Sequence, residues 1–206
     1  MDERHLVVIS GGLSQPSSTR LLADRLAEAT AGELHEHGVT AHVRVVELRD
    51  LAHDVVDQTL TGFARGDLAD AQQALAAADA VIAVTPVYAA SYAGLFKSFV
   101  DVLDPDALRG TPVLVAATGG SARHSLVLDH ALRPLFAHLG ADVVPTAVFA
   151  ATDDWADAGG DDVHPLPERV RRAGRELAAR VAGRAPTRRA GLYDAVPSFE
   201  DLLGGA

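Results

Sequence analysis

His5-Leu-Val-Val-Ile-Ser-Gly-Gly-Leu-Ser-Gln-Pro-Ser-Ser-Thr19 carries two hydrophobic periods in one short stretch. His5 to Ser10 is an apolar run that closes at Gly11 and Gly12, which predicts a buried strand ending in a turn. From Ser18 the period changes: Leu21, Leu22, Leu26, Ala29 and Leu34 recur at helical spacing with charges between them. The stretch therefore reads as strand, glycine- and hydroxyl-rich loop, and helix.

The same alternation continues outward. Val43–Leu48, Ala80–Val84, Pro112–Thr118 and Val143–Phe149 read as further strands, each short and apolar. Ala69–Ala78, Leu95–Leu103, Leu126–Leu139 (closed by Gly140) and Glu168–Val181 read as helices. Residues 50–66 and 152–167 read as irregular connections. Strands of continuous apolar character separated by helices imply a parallel sheet covered on both faces. Right-handed crossovers then give a doubly wound α/β sandwich, and the flavodoxin-like five-strand order 2-1-3-4-5 is the natural candidate. The expected division is one domain over residues 1–183 and a C-terminal tail over 184–206.

Composition narrows the function. A chain of 206 residues can bury a core without disulfides or a structural metal. The absence of cysteine excludes disulfides, thiolate catalysis and Cys-ligated zinc. A formal net charge of −10 argues against general nucleic-acid binding. No apolar stretch reaches the ~20 residues of a membrane helix, and MDERHLVVISGG lacks the features of a signal peptide. A soluble cytoplasmic protein is expected. The histidines show no metal spacing, the acidic run after Asp153 lacks an EF-hand register, and there is no G-x-S-x-G elbow. No metal site is expected.

In such sheets ligands bind beyond the carboxyl ends of the strands, at the switch point. Three strand ends carry unusual residues. Ser10, Ser14, Ser17, Ser18 and Thr19, with Gly11 and Gly12, can form a phosphate cradle at a helix N-terminus, where free amides and the helix dipole favour an anion. The glycine spacing is neither a Rossmann fingerprint nor a Walker loop. Thr85, Pro86, Val87 and Tyr88 supply a fixed turn, an aromatic face and a hydroxyl. Thr118, Gly119, Gly120 and Ser121 permit close backbone approach flanked by hydroxyls. Each loop alone reads equally as an ordinary capped turn; their coincidence at adjacent strand ends points to a ligand site.

Thr85-Pro-Val-Tyr-Ala-Ala-Ser-Tyr-Ala-Gly-Leu-Phe-Lys97, Ala117-Thr-Gly-Gly-Ser121 and His130-Ala-Leu-Arg-Pro-Leu-Phe136 resemble the NADPH-dependent FMN reductase family. The resemblance runs from His5 to about Ala150. It is strongest to FMN reductases that supply two-component monooxygenases of the alkanesulfonate and luciferase-like types. It implies a flavodoxin-like fold and hydride transfer from NADPH or NADH to FMN. Ser17, Ser18 and Thr19 would then hold the phosphate, and Thr85–Tyr88 and Thr118–Ser121 would line the isoalloxazine. No side-chain acid or base is expected to be essential, because the cofactor carries the chemistry.

The chain departs from the family in its first loop. Relatives often show Gly-Ser-x-Arg where this sequence reads Gly11-Gly12-Leu13-Ser14, which removes one charge-assisted phosphate contact. Arg20 is the residue placed to compensate, and weaker FMN retention is expected. His130 stands where some relatives carry a tyrosine, on a helix that in them lies at a subunit interface. Arg123 is the candidate for a 2′-phosphate contact. Two alternatives remain open on sequence: a quinone, azo or metal-ion reductase with bound FMN, and a non-enzymatic flavodoxin-type electron carrier. Leu192, Tyr193, Val196, Phe199, Leu202 and Leu203 make the tail apolar, so docking on the core or on a neighbour in a homodimer or homotetramer is expected.

Overall fold

The structure is a computed structural model and describes residues 2–155 and 164–185. Along the chain run β1 (Asp2–Ser10), α1 (Ser18–Glu36), β2 (Val39–Glu47), α2 (Ala52–Thr61), α3 (Gly66–Ala76), β3 (Ala80–Tyr88) and β4 (Ser91–Tyr92). They are followed by α4 (Gly94–Asp101), β5 (Pro112–Gly119), α5 (Arg133–His138), β6 (Asp142–Val143), β7 (Val148–Ala151) and α6 (Leu166–Ala182). The order across the sheet is β2-β1-β3-β5-β6, with β7 also pairing β5 and β4 folding back on β3. All pairs are parallel except β3 with β4.

Alternation along the inner strands explains their continuous apolar character. Val7 and Ile9 of β1, with Val81, Val113 and Val115, face α3, α4 and α5, where Leu68, Leu75, Phe96, Phe99 and Phe136 complete one core. Leu6, Val8, Ile82 and Leu114 face α1 and α6, where Leu22, Leu26, Leu34, Val170 and Leu177 complete the other. Both faces exclude water, so neither set of alternating positions can be polar. The two helices on the second face touch closely. A Cβ on Gly174 of α6 would stand 2.9 Å from Ala29 Cβ and 3.0 Å from the Thr30 amide nitrogen. Gly174 is thus the residue that lets the two backbones meet.

The α/β class, the parallel sheet and the winding agree with the sequence; the strand count does not. The sheet has seven strands where five were expected. One addition is the short β4, joined to β3 by a two-residue turn. The other comes from the predicted strand Val143–Phe149, which divides into β6 and β7 around Pro145. Proline has no amide to give to a ladder. The gap is filled by side chains: Arg133 donates to the carbonyl oxygens of Val144 and Pro145, and Glu176 accepts from the Thr146 amide at 2.9 Å and its hydroxyl at 2.6 Å. Burial disfavours the charged form of Glu176, but the Thr146 bonds and Arg172 outweigh it and hold the carboxyl below its ordinary range.

Two helical expectations also change. Residues 50–66 are not an irregular connection: Leu48–Leu51 forms a 3₁₀ turn and α2 follows it. Only Val55 of α2 is buried, and Gln58 anchors the helix by donating to the Val102 carbonyl oxygen, so the usual apolar stripe is missing. The predicted helix Leu126–Leu139 contains a π-helical turn over Leu128–Leu132, in which the Arg133 amide reaches back to Leu128. Pro134 lacks the next amide and its ring crowds the carbonyl four residues earlier, which favours the wider turn. Of the expected tail over 184–206, residues 186–206 lie outside the described residues, as do 156–163 of the expected 152–167 loop.

Candidate functional site

The ends of β1, β3 and β5 stand side by side. Ser10 pairs with Val84, and Pro86 pairs with Thr118. The loops that leave these ends are bonded to each other. The Gly11 amide donates to the Val84 carbonyl oxygen at 2.8 Å, and the hydroxyls of Thr19 and Thr118 lie 2.7 Å apart in the interior. The three predicted loops therefore form one surface.

The first loop is tight for a steric reason. A Cβ on Gly12 would fall 2.1 Å from Ser17 Oγ, so only glycine leaves room for the cap. Ser17 is the N-cap of α1, its hydroxyl accepting from the Arg20 amide at 3.2 Å. The remaining first-turn amides of α1 have no intrahelical acceptor. Ser14, Ser17, Arg20 and Glu47 border a surface hollow of about 300 Å³ there. Ser10 is buried beneath, and its hydroxyl has no hydrogen-bond partner among the described residues.

Beside it, β3 and β4 make a hairpin whose two turn residues, Ala89 and Ala90, have φ of +47° and +64°. This left-handed pair matches the twist of a two-residue hairpin but costs energy in a residue with a Cβ. Thr85 is buried; it donates to the Pro86 carbonyl oxygen and accepts from the Ala93 amide, both at 3.0 Å, and so ties the hairpin down. Tyr88 stays half exposed at the lip. On the third loop, Gly119 backs onto Phe149, Gly120 is open to solvent, and Ser121 caps the 3₁₀ turn Ala122–His124.

The sequence matches the NADPH-dependent FMN reductase family over residues 4–156. The chain belongs to that family. It is 39% identical over 173 residues to the NADH-dependent FMN reductase SfnF of Pseudomonas fluorescens, covering 84% of this chain and 89% of the relative. It is 38% identical over 180 residues to the FMN reductase (NADPH) of Pseudomonas aeruginosa, covering 87% and 94%. A crystal structure of an oxidoreductase from Corynebacterium diphtheriae superposes with a TM-score of 0.85 at 45% identity, covering 90% of this chain and all of that one.

Against the needs of FMN, the first loop of this FMN reductase family member fits a phosphate. It offers free amides, the hydroxyls of Ser14 and Ser17, a glycine that a Cβ would fill and an unpartnered buried hydroxyl at Ser10. The hydroxyls of Thr19, Thr85 and Thr118 point inward to protein partners, so these residues hold the loops together. Arg20 borders the hollow but its guanidinium is already engaged. It bonds Asp24 and Glu47; the Asp24 bond first, and the two carboxylates together, outweigh its partial burial and raise its pKa. Sequence reading missed Phe96, which lies under the site: a Cβ on Gly11 would stand 3.3 Å from its ring. Its i,i+4 apolar neighbours were visible, but nothing local ties it to the first loop. A hollow of about 700 Å³ between α5 and α6 is a different place, and Arg133 and Arg169 in its wall are engaged by carbonyls and carboxylates.

The Thr19–Thr118 bond yields a double-mutant prediction. Thr118→Val strands a buried Thr19 hydroxyl and should cost about 1–3 kcal/mol; Thr19→Val should cost the same from the other side. The double variant should be closer to wild type than the sum of the two, because no orphan remains. Urea denaturation of the four proteins measures this. Strict additivity would show that the two hydroxyls are independent.

Proposed function

We propose that the chain is an NAD(P)H-dependent FMN reductase that releases reduced FMN to a flavin-dependent monooxygenase in the cytoplasm. Family membership supports the reductase, and the hydroxyl-and-amide phosphate cradle without a free arginine carries the release. When bound, FMN accepts a hydride from the nicotinamide of NAD(P)H. The chain's part is to hold and exclude. Ser14, Ser17 and the first amides of α1 bind the phosphate. Tyr88 and the Thr118–Ser121 backbone flank the ring. Thr19, Thr85 and Thr118 fix the loops from below. No carboxylate, imidazole or amine stands within residues 10–19, 85–88 or 118–121, which suits a reaction whose chemistry belongs to the flavin.

Neutral contacts favour exchange. Each adds less than a bidentate guanidinium–phosphate pair would, and a chain of net charge −10 gives an anionic ligand no long-range attraction. The helix dipole adds back only ~0.3–1 kcal/mol. Micromolar affinity, roughly −8 kcal/mol, is the expected balance. Purified protein should be nearly colourless and should oxidise NADH or NADPH only with added FMN, which it should prefer to riboflavin. A preparation that stays yellow through dialysis and reduces quinones unaided would replace this reading with a bound-FMN quinone reductase. Failure to turn over either nucleotide would leave an electron carrier.

A homodimer or homotetramer is part of the proposal. Val56 and Leu60 of α2 and Phe63 beyond it recur at helical spacing and are 53%, 81% and 70% exposed, which is costly for a lone chain in water. No helix among the described residues is long and apolar enough to cross a membrane. Light scattering should give more than one chain per particle, and Leu60→Asp with Phe63→Asp should lower that number.

A further inference from the structure

We infer that the turn Ser121–Ser125 takes the phosphate on the adenosine ribose of NADPH, and that Arg123 sets a preference for NADPH over NADH. The inference rests on the reductase reading above. The cationic residues on the segments that leave the strand ends include Arg20, Arg49, Lys97 and Arg123, besides Arg25, which lies over the Trp155 ring, and Arg133, which bonds Asp129. Arg20 is bound to Asp24 and Glu47, Arg49 to Asp50, and Lys97 to Asp101. The Arg123 side chain is exposed and makes no ion pair among the described residues. Asp154, which follows β7, is engaged by Arg169 and by the Ala151 amide rather than by Arg123.

The surroundings of Arg123 suit a phosphate. In a chain with 28 acidic residues, none occurs between Asp106 and Asp129. Within that acid-free stretch, Ser121, Arg123, His124 and Ser125 fall on one 3₁₀ turn, supplying two hydroxyls, a guanidinium and an imidazole. The turn is held in place: Ser121 Oγ accepts from the Arg123 amide at 3.3 Å, and the His124 and Ser125 amides donate to the carbonyl oxygens of Ser121 and Ala122 at 3.2 and 3.0 Å. It follows directly on Gly120, whose Cβ position is open space, so a ligand can lie across the backbone between the ring site and the turn. NADH and NADPH differ only in that phosphate, and a guanidinium is the side chain best matched to it.

The test compares wild type, Arg123→Ala and Arg123→Lys. Two readouts are used: kcat/KM for NADPH and NADH with FMN, and calorimetric affinity for 2′,5′-ADP against 5′-ADP. Wild type should favour NADPH and 2′,5′-ADP. Arg123→Ala should lose about tenfold toward both while NADH and 5′-ADP stay unchanged, and Arg123→Lys should recover part of the loss. A wild type that favours NADH, or an Arg123→Ala variant with the wild-type ratio in both readouts, overturns the inference with the reductase reading intact. Tight, Arg123-dependent binding of 2′,5′-ADP without FMN-dependent oxidation would uphold the phosphate site and overturn the reductase reading instead.

Discussion

Replacing Phe96 by alanine should lower the free energy of unfolding by about 3–5 kcal/mol. The ring is fully buried, with centroids 6.3 Å from both Tyr92 and Phe136. Its removal opens a cavity among residues fixed by the sheet, so little collapse can offset the loss. A domain of this size is stable by only about 5–15 kcal/mol, so the variant should sit near the edge of folding at ambient temperature. The same ring backs Gly11 and the β3 end, so FMN affinity should fall with stability. Phe96→Leu, which keeps most of the volume, should cost much less. Chemical denaturation measures both; a loss below about 1.5 kcal/mol for the alanine variant would mean that the site is not propped from beneath.

Gly12→Val should weaken FMN binding by about a hundredfold, or roughly 3 kcal/mol. The new side chain would overlap Ser17 Oγ, and Thr19 Cβ at 3.1 Å closes the other way out. Ser17 must then leave the Arg20 amide, which costs about 1 kcal/mol of helix cap. It also takes with it at least one hydrogen bond to the charged phosphate, worth about 1.5–3 kcal/mol. Titration of flavin fluorescence gives the affinity, and circular dichroism should show the sheet intact. Riboflavin, which lacks the phosphate, should be affected much less. Equal losses for the two flavins would move the phosphate away from this loop.

The fold was legible wherever burial on both faces made a strand uniformly apolar. β1, β3 and β5 are of that kind, and the helices α1 and α6 announced themselves by period. What escaped were elements held by polar bonds. α2 hangs on Gln58, and the divided outer strand depends on Arg133 and Glu176 reaching in from other helices. No local pattern records a partner thirty residues away. In the site, glycines and hydroxyls marked the loops, because they are the residues that tight turns and anions require. Their division of labour was not visible. Ser17 caps while Thr19 turns inward to Thr118, a contact across 99 positions that spacing cannot reveal. The engagement of Arg20 was hidden for the same reason, since Glu47, its second partner, arrives from the end of β2.

The filled gap at Val144–Ala147 bears on how the protein tolerates crowding. A bare strand at the margin of a sheet is a template on which a second chain can add and propagate. Here the carbonyl oxygens of Val144 and Pro145 are already claimed by Arg133, and the Thr146 amide by Glu176. An incoming strand would find no register to copy at that margin. Copies that meet at that margin have no strand to extend there.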